Sequence, residues 1–248
     1  MIATRIFRKA ESIIEPTINN DITTKNTMLD RLPSGCQSLD LILGGGFESG
    51  IITQLYGESG SGKSNIVLQL AVQAVARGMR VIFIDTEGFS AERFKQIAGP
   101  GAEQMAARIM IFEPMSLEQQ AVSIREARQI AGKDLGLVIL DSATSLYRVL
   151  LEAEDNRSVR RTMTLQLSEL QELSRRHSIP VVITNQVYTD IESNALRPIG
   201  GTSLEHMCKA IIFLEKTGVG KRRAKLMKHR SMPEGSSAEF TLTARGVE

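Results

Sequence analysis

The sequence predicts an α/β fold: a mostly parallel central sheet with helices on both faces, finished by antiparallel strands near the C-terminal end. Three observations predict it. From residue 51 to residue 184, short apolar runs alternate with segments of helical periodicity, and strands covered on both faces read as continuous apolar runs. A glycine-rich stretch joins the first such run to the first helix. After residue 207 the helical spacing stops and strand-like segments follow one another at short intervals.

Each element has its own signal. Residues 51–56 form a short strand, followed by the glycine-rich turn and a helix from Lys63 to about Arg77. RVIFID at 80–85 is a buried strand, and a helix covers 91–98. RIMIFE at 108–113 is the next strand. Ser116 with Gln119 three residues on makes a capping box, which opens a helix to about Ala131. LGLVILD at 135–141 is an apolar strand. Val159, Met163, Leu167 and Leu170 recur at spacings of four, four and three, so 158–177 is an amphipathic helix. Residues 179–184 are another apolar strand; 209–216, 222–229 and 238–244 are strands with short connections.

The chain has 248 residues, 42% of them apolar and 23% charged. That usage is ordinary for a globular domain and excludes wholesale disorder. One core spans 28–248. Residues 1–27, with the polar, turn-rich PTINNDITTK at 16–25, read as an extension or linker, or as an upstream stretch before a true start at Met28. Two cysteines, Cys36 and Cys208, supply neither a disulfide framework nor zinc spacing, so the expected compartment is reducing and the expected location cytoplasmic. No apolar run is long enough for a membrane span, and no membrane partner is expected. A net charge of +2 says little; its distribution says more.

Gly57, Glu58, Ser59, Gly60, Ser61, Gly62, Lys63 and Ser64 match G-x-x-x-x-G-K-[ST] between a strand and a helix. Glycines let backbone N–H groups surround a polyphosphate, and the new helix points its positive end at the same anion. Lys63 adds a mobile charge for the β- and γ-phosphates. Ser64 can ligate Mg²⁺; Asn65, next on the helix, belongs to the same nucleotide site. The expected cofactors are ATP and Mg²⁺. Asp141 closes the apolar run 137–140 at a strand's carboxyl end, where such sheets bind ligands, and is the second metal candidate. Glu87, just past the strand 80–85, is placed to orient or deprotonate a water beside the γ-phosphate, on the expectation that this strand neighbours the P-loop strand. A solvated loop glutamate is the plain alternative.

Several motifs in order carry a resemblance. LPSGCQSLD at 32–40, LGGG at 43–46, FESG at 47–50, DTEG at 85–88, TNQV at 184–187 and IGGT at 199–202 resemble the cores of RecA-family recombinases. Within that family the chain is similar to the archaeal RadB-type paralogues, which consist of the core alone. The resemblance implies a RecA-like P-loop ATPase fold, weak ATP hydrolysis and a role in recombination and repair. It implies single-stranded DNA and the main archaeal recombinase as partners, with a homo-oligomer as a further possibility. Glu87 matches the water-activating residue, and Gln186 the γ-phosphate sensor that opens a DNA loop, 187–200, hinged at Gly200 and Gly201. A first DNA loop would lie near 148–161 and holds Arg148, Arg157, Arg160 and Arg161. Arg93 resembles a residue that stacks on adenine, at a spacing one residue short. Loop 187–200 has Arg197 as its basic residue and Tyr188 as its aromatic, with acidic Asp190 and Glu192. That composition argues against efficient strand exchange.

Between Lys216 and Arg230 lie Lys216, Lys221, Arg222, Arg223, Lys225, Lys228 and Arg230, with His229, and no acidic residue. Alternation puts Arg223, Lys225 and Met227 on one face and Arg222, Ala224, Leu226, Lys228 and Arg230 on the other. Three readings compete: DNA-phosphate binding through Lys228, His229 and Arg230; a finger reaching a neighbouring subunit's γ-phosphate; or a solvated edge strand guarded by charge. Phe7-Arg8-Lys9-Ala10 has an F-x-x-A form that chance also supplies. Two rival functions stay open: a ring-forming relative acting on protein partners, and an ATP-independent module docking on a recombinase.

Overall fold

A computed structural model describes residues 31–151, 156–190 and 195–248. The extension 1–27, the start at Met28, the Phe7–Ala10 motif and Glu192 lie outside the described residues.

Arg31–Leu32 (β1) and Phe47–Glu48 (β2) pair antiparallel around a short helix, Gln37–Ile42 (α1). Then come Ile52–Gly57 (β3), Lys63–Ala76 (α2), Arg80–Asp85 (β4), Ala91–Ala98 (α3) and Ala102–Ala106 (α4). Ile109–Phe112 (β5), Leu117–Ile130 (α5), Leu135–Asp141 (β6), Ser145–Leu151 (α6), Asn156–His177 (α7) and Val181–Asn185 (β7) follow. The remainder is Val187–Thr189 (β8), Leu196–Pro198 (β9), Gly201–Met207 (α8), Ala210–Lys216 (β10), Lys221–His229 (β11), Ser237–Thr243 (β12) and Gly246–Val247 (β13).

Among the described residues, nine strands form one sheet in the order β13-β12-β11-β10-β3-β7-β6-β4-β5. The β10-β3-β7-β6-β4-β5 run is parallel; β11, β12 and β13 continue it antiparallel. The P-loop strand β3 is flanked by β10 and β7, so β4 is not its neighbour: β7 and β6 lie between. The expected adjacency fails because parallel crossovers let later strands insert between earlier ones. β11 is also no edge strand. It is hydrogen-bonded on both sides, to β10 and β12, which removes the charged-edge reading of the basic strip.

Side chains pack on both faces, as continuous apolar strands require. On one side Leu55, Phe83, Ile139, Leu226 and Phe240 meet Val67, Leu70 and Ala71 of α2. On the other, Ile52, Ile84, Val138 and Ile183 meet Ile124 of α5 and Leu167 and Leu170 of α7. A fully buried side chain of this size contributes about 1.5–3 kcal/mol, so these layers hold the strand ends that carry the site. The α5 cap forms as expected: the Ser116 hydroxyl accepts the Gln119 N–H (3.2 Å). Its return bond goes one residue further out, from the Met115 N–H to Gln119 Oε1 (2.8 Å). No described helix is long and apolar enough to cross a membrane.

Candidate functional site

The phosphate loop sits at the carboxyl end of β3, and its shape is enforced from the antiparallel side of the sheet. A Cβ on Gly57 would meet the Leu214 carbonyl oxygen of β10 at 2.2 Å and Ser61 Oγ at 2.9 Å. Gly62 caps α2 at φ +106°, a left-handed conformation that favours glycine, and packs against Phe240 and Leu242. The Arg222 guanidinium of β11 donates to the Gly60 carbonyl (2.9 Å) and to the carbonyls of Lys221 (2.8 Å) and Gly218 (3.3 Å). With those contacts the loop's outer carbonyl is occupied. Buried Ser61 Oγ has no hydrogen-bond partner among the described residues.

Lys63 folds back along this loop. Its Nζ donates to the carbonyls of Gly57 (2.8 Å) and Glu58 (3.0 Å). Burial pushes its pKa down; Glu87 and Asp141 pull the other way. A cavity of about 390 Å³ opens in front of Lys63, lined also by Ser59, Gly60, Gly62, Ser64, Asn65, Glu87, Arg148 and Gln186.

Asp141 and Asp85 end the adjacent strands β6 and β4 in register. Asp141 accepts from the hydroxyls of Thr184 and Ser64; burial raises its pKa, against the pull of those two bonds. Asp85 holds the turn that presents Glu87. Its carboxylate accepts the backbone N–H groups of Glu87 (3.3 Å) and Gly88 (3.1 Å), while burial raises its pKa. Glu87 stands exposed beyond that turn and reaches the cavity from three strands away. Its Oε1 accepts from Gln186 Nε2 (2.8 Å), and Gln186 Oε1 accepts from Arg148 Nη1 (3.4 Å).

Arg93 does not line the cavity. Its guanidinium donates to Asn65 Oδ1 (2.5 Å), Gln96 Oε1 (2.9 Å) and the carbonyls of Thr243 (2.7 Å) and Ala244 (3.0 Å), tying α3 to α2 and β12. These four acceptors engage the edges of the guanidinium and hold it among α2, α3 and β12, outside the cavity lining.

The segment 187–200 is not wholly loop. β8 and β9 pair antiparallel, with Tyr188 opposite Arg197. Its base is clipped to β7: Asn185 Nδ2 donates to the Ile199 carbonyl (2.7 Å), and the Ile199 N–H donates to the Gln186 carbonyl (3.0 Å). The other arginine-rich segment is helical on both sides of 152–155, with Arg148 on α6 and Arg157, Arg160 and Arg161 exposed on the first turns of α7. Tyr147, Arg148, Arg160, Tyr188 and Gly200 line a second cavity of about 490 Å³, in which Arg160 hydrogen-bonds the Tyr147 side chain.

The Lys228-His229-Arg230 triplet is engaged elsewhere. A bulge leaves Met227 unopposed between the Ile211–Lys228 and Ile212–Leu226 pairs, so the simple alternation of faces breaks there. Lys225, Met227 and Lys228 consequently line one cavity together. Lys228 Nζ donates to the Glu205 carbonyl (2.7 Å). The His229 side chain is 1% exposed, with Nε2 3.7 Å from Glu48 Oε2. Arg230 Nε donates to Glu48 Oε1 (2.6 Å), and Arg31 lies 3.4 Å from the same carboxylate. Buried Glu48 thus engages Arg230 and His229 of the basic strip, and Glu215 and Glu239 pair with Arg223 of the same strand.

The Rad51 family model matches residues 25–248. The chain belongs to the Rad51 family. Among its Rad51-family relatives, "DNA repair and recombination protein RadB" of Methanococcoides burtonii is 56% identical over 89% of this chain and 99% of that protein. The protein of the same name from Methanoculleus marisnigri is 46% identical over 88% of this chain and 97% of its own length. The crystal structure of the RadB recombinase superposes with a TM-score of 0.77 at 36% identity, covering 88% of this chain and 98% of that one. The fold is thus that of a RecA-like recombinase core, as the motifs implied. Sequence reasoning missed Arg222, Asp85 and Glu48. Arg222 sits in a run of basic residues with no local mark of its role, and the signal for Asp85 is its strand-end position.

Proposed function

We propose that this Rad51-family chain binds ATP with Mg²⁺ and single-stranded DNA, and works in homologous recombination and DNA repair beside the main archaeal recombinase. ATP acts as a switch more than as a fuel. The residues at the phosphate loop fit the nucleotide. Gly57 leaves no room for a Cβ, Ser61 keeps an unpartnered buried hydroxyl, and Lys63 holds its ammonium on loop carbonyls that a phosphate would replace. Ser64 and Asp141 would hold Mg²⁺, which supplies neutralising charge between the phosphates.

The observation that carries this reading is the 2.8 Å hydrogen bond from Gln186 to Glu87. Gln186 directly precedes the β8–β9 hairpin, so one side chain joins the phosphate cavity to the candidate DNA element. In this reading the Gln186 amide, by holding one oxygen of Glu87, competes with the water that the carboxylate would orient, which keeps turnover slow. Arg157, Arg160 and Arg161, with Arg197 across the hairpin, are the DNA-phosphate contacts in this reading. The names of the RadB relatives, which are DNA repair and recombination proteins, support the same role.

The test is nucleotide binding by Lys63→Ala, with ATPase and DNA affinity measured in parallel. Loss of nucleotide binding, and of any nucleotide effect on DNA affinity, is the expected outcome. Wild-type binding in that variant sinks the assignment.

A further inference from the structure

We propose that Arg148 is the positioning residue that makes the phosphate cavity and the DNA-side cavity sense each other. The inference rests on the functional reading of those two cavities given above. Arg148 lines both of them. Its Nη1 donates to Gln186 Oε1 at 3.4 Å, and Gln186 Nε2 donates onward to Glu87 at 2.8 Å. The chain of bonds therefore runs from a side chain shared by the two spaces to the carboxylate inside the first.

The root of Arg148 is fixed while its tip is not confined to one space. Its backbone N–H donates to the Thr144 carbonyl (3.0 Å). The Thr144 hydroxyl donates to Asn185 Oδ1 (2.5 Å) and accepts the Gln186 N–H (3.4 Å). The start of α6 and the end of β7 thus form one rigid block. From that block the guanidinium presents a planar fork of donors, strongly drawn to phosphate oxygens. An anion in either cavity competes with Gln186 for this fork. When the fork turns to a phosphate on the DNA side, Gln186 loses a donor to its carbonyl oxygen and its amide is free to leave Glu87. When Gln186 is drawn to the nucleotide, the fork loses that acceptor, which favours a phosphate on the DNA side. That is a coupling free energy carried by two alternative hydrogen-bond arrangements. Arg160 provides the internal contrast: it lines the DNA-side cavity alone and bonds Tyr147.

The experiment measures the affinity of a labelled oligothymidylate by fluorescence anisotropy, with and without saturating Mg²⁺ and a non-hydrolysable ATP analogue. Wild type, Arg148→Gln, Arg148→Lys and Arg160→Gln are compared. Wild type is expected to show a nucleotide effect on DNA affinity of about fivefold or more. Arg148→Gln abolishes that ratio. Arg148→Lys abolishes it too while retaining DNA affinity, because it keeps the charge but not the fork. Arg160→Gln weakens DNA binding equally in both nucleotide states and leaves the ratio intact. A wild-type ratio in a folded Arg148→Gln or Arg148→Lys protein overturns the relay and leaves the proposed function standing. Absence of DNA binding, or of any nucleotide effect, in the wild type overturns the proposed function and the relay with it.

Discussion

Arg157, Arg160 and Arg161 stand exposed on the first turns of α7, beside a cavity. The basic triplet Lys228-His229-Arg230 is drawn onto a carbonyl and a buried carboxylate. Both runs look alike in the sequence. At the second run Glu48 arrives from far up the chain and sets its charge against Arg31, His229 and Arg230. Local density of Lys and Arg is thus a poor guide to potential where the fold brings a distant carboxylate onto the run, as Glu48 does here.

The difference can be broken or sharpened experimentally. The largest effect is expected from Glu48→Ala. It leaves Arg31 and Arg230 facing a buried gap, and denaturant unfolding should report a loss of about 2 kcal/mol, tempered by the partial exposure of both arginines. Wild-type stability in that variant means the cluster is not what holds the triplet. Next comes the salt dependence of binding to single-stranded DNA. Alanine at Arg157, Arg160 and Arg161 together should reduce the slope of log affinity against log salt by about 2. The double variant of Lys228 and Arg230 to alanine should leave the slope near wild type. A reversed pattern would return the triplet to the DNA interface.

The smallest effect is in pH dependence. Burial holds the His229 pKa below its ordinary value, Arg31 and Arg230 push the same way, and Glu48 opposes them. The unfolded chain then binds the proton more readily, so stability is complete above about pH 6.5 and is lost as pH falls from there through the lower folded value. Melting temperatures measured between about pH 7.5 and about pH 5 should show this decline, and His229→Gln should flatten it. An identical decline in that variant assigns it to other groups.

The sheet and the phosphate loop were legible because their signals are local. Apolar runs such as 135–141 and the periodicity of 158–177 are each set by neighbours in sequence, and the strand-to-helix glycine motif is self-contained. The short helices α1, α6 and α8 span too few turns for a hydrophobic period to emerge. The β8–β9 hairpin has three residues per strand and read as loop. Strand order was not legible, because a crossover leaves no mark on the strands it separates; hence the misplaced β4. Arg93, Arg222 and Arg230 each also reach an acceptor from a distant segment, the Thr243 carbonyl, the Gly60 carbonyl and the Glu48 carboxylate respectively, which no window on the sequence contains.

The placement of β4 three strands away from β3 has a kinetic corollary. Lys63, Glu87 and Gln186 reach their common cavity from separate strand ends, Asp141 bonds Ser64 of its lining, and the loop itself is braced by β10 and β11. Such long-range topology is slow to assemble. During refolding, a dye-labelled nucleotide would therefore light up only after the middle of the sheet has closed, later than any circular-dichroism signal from the helices, so its appearance times the final docking event.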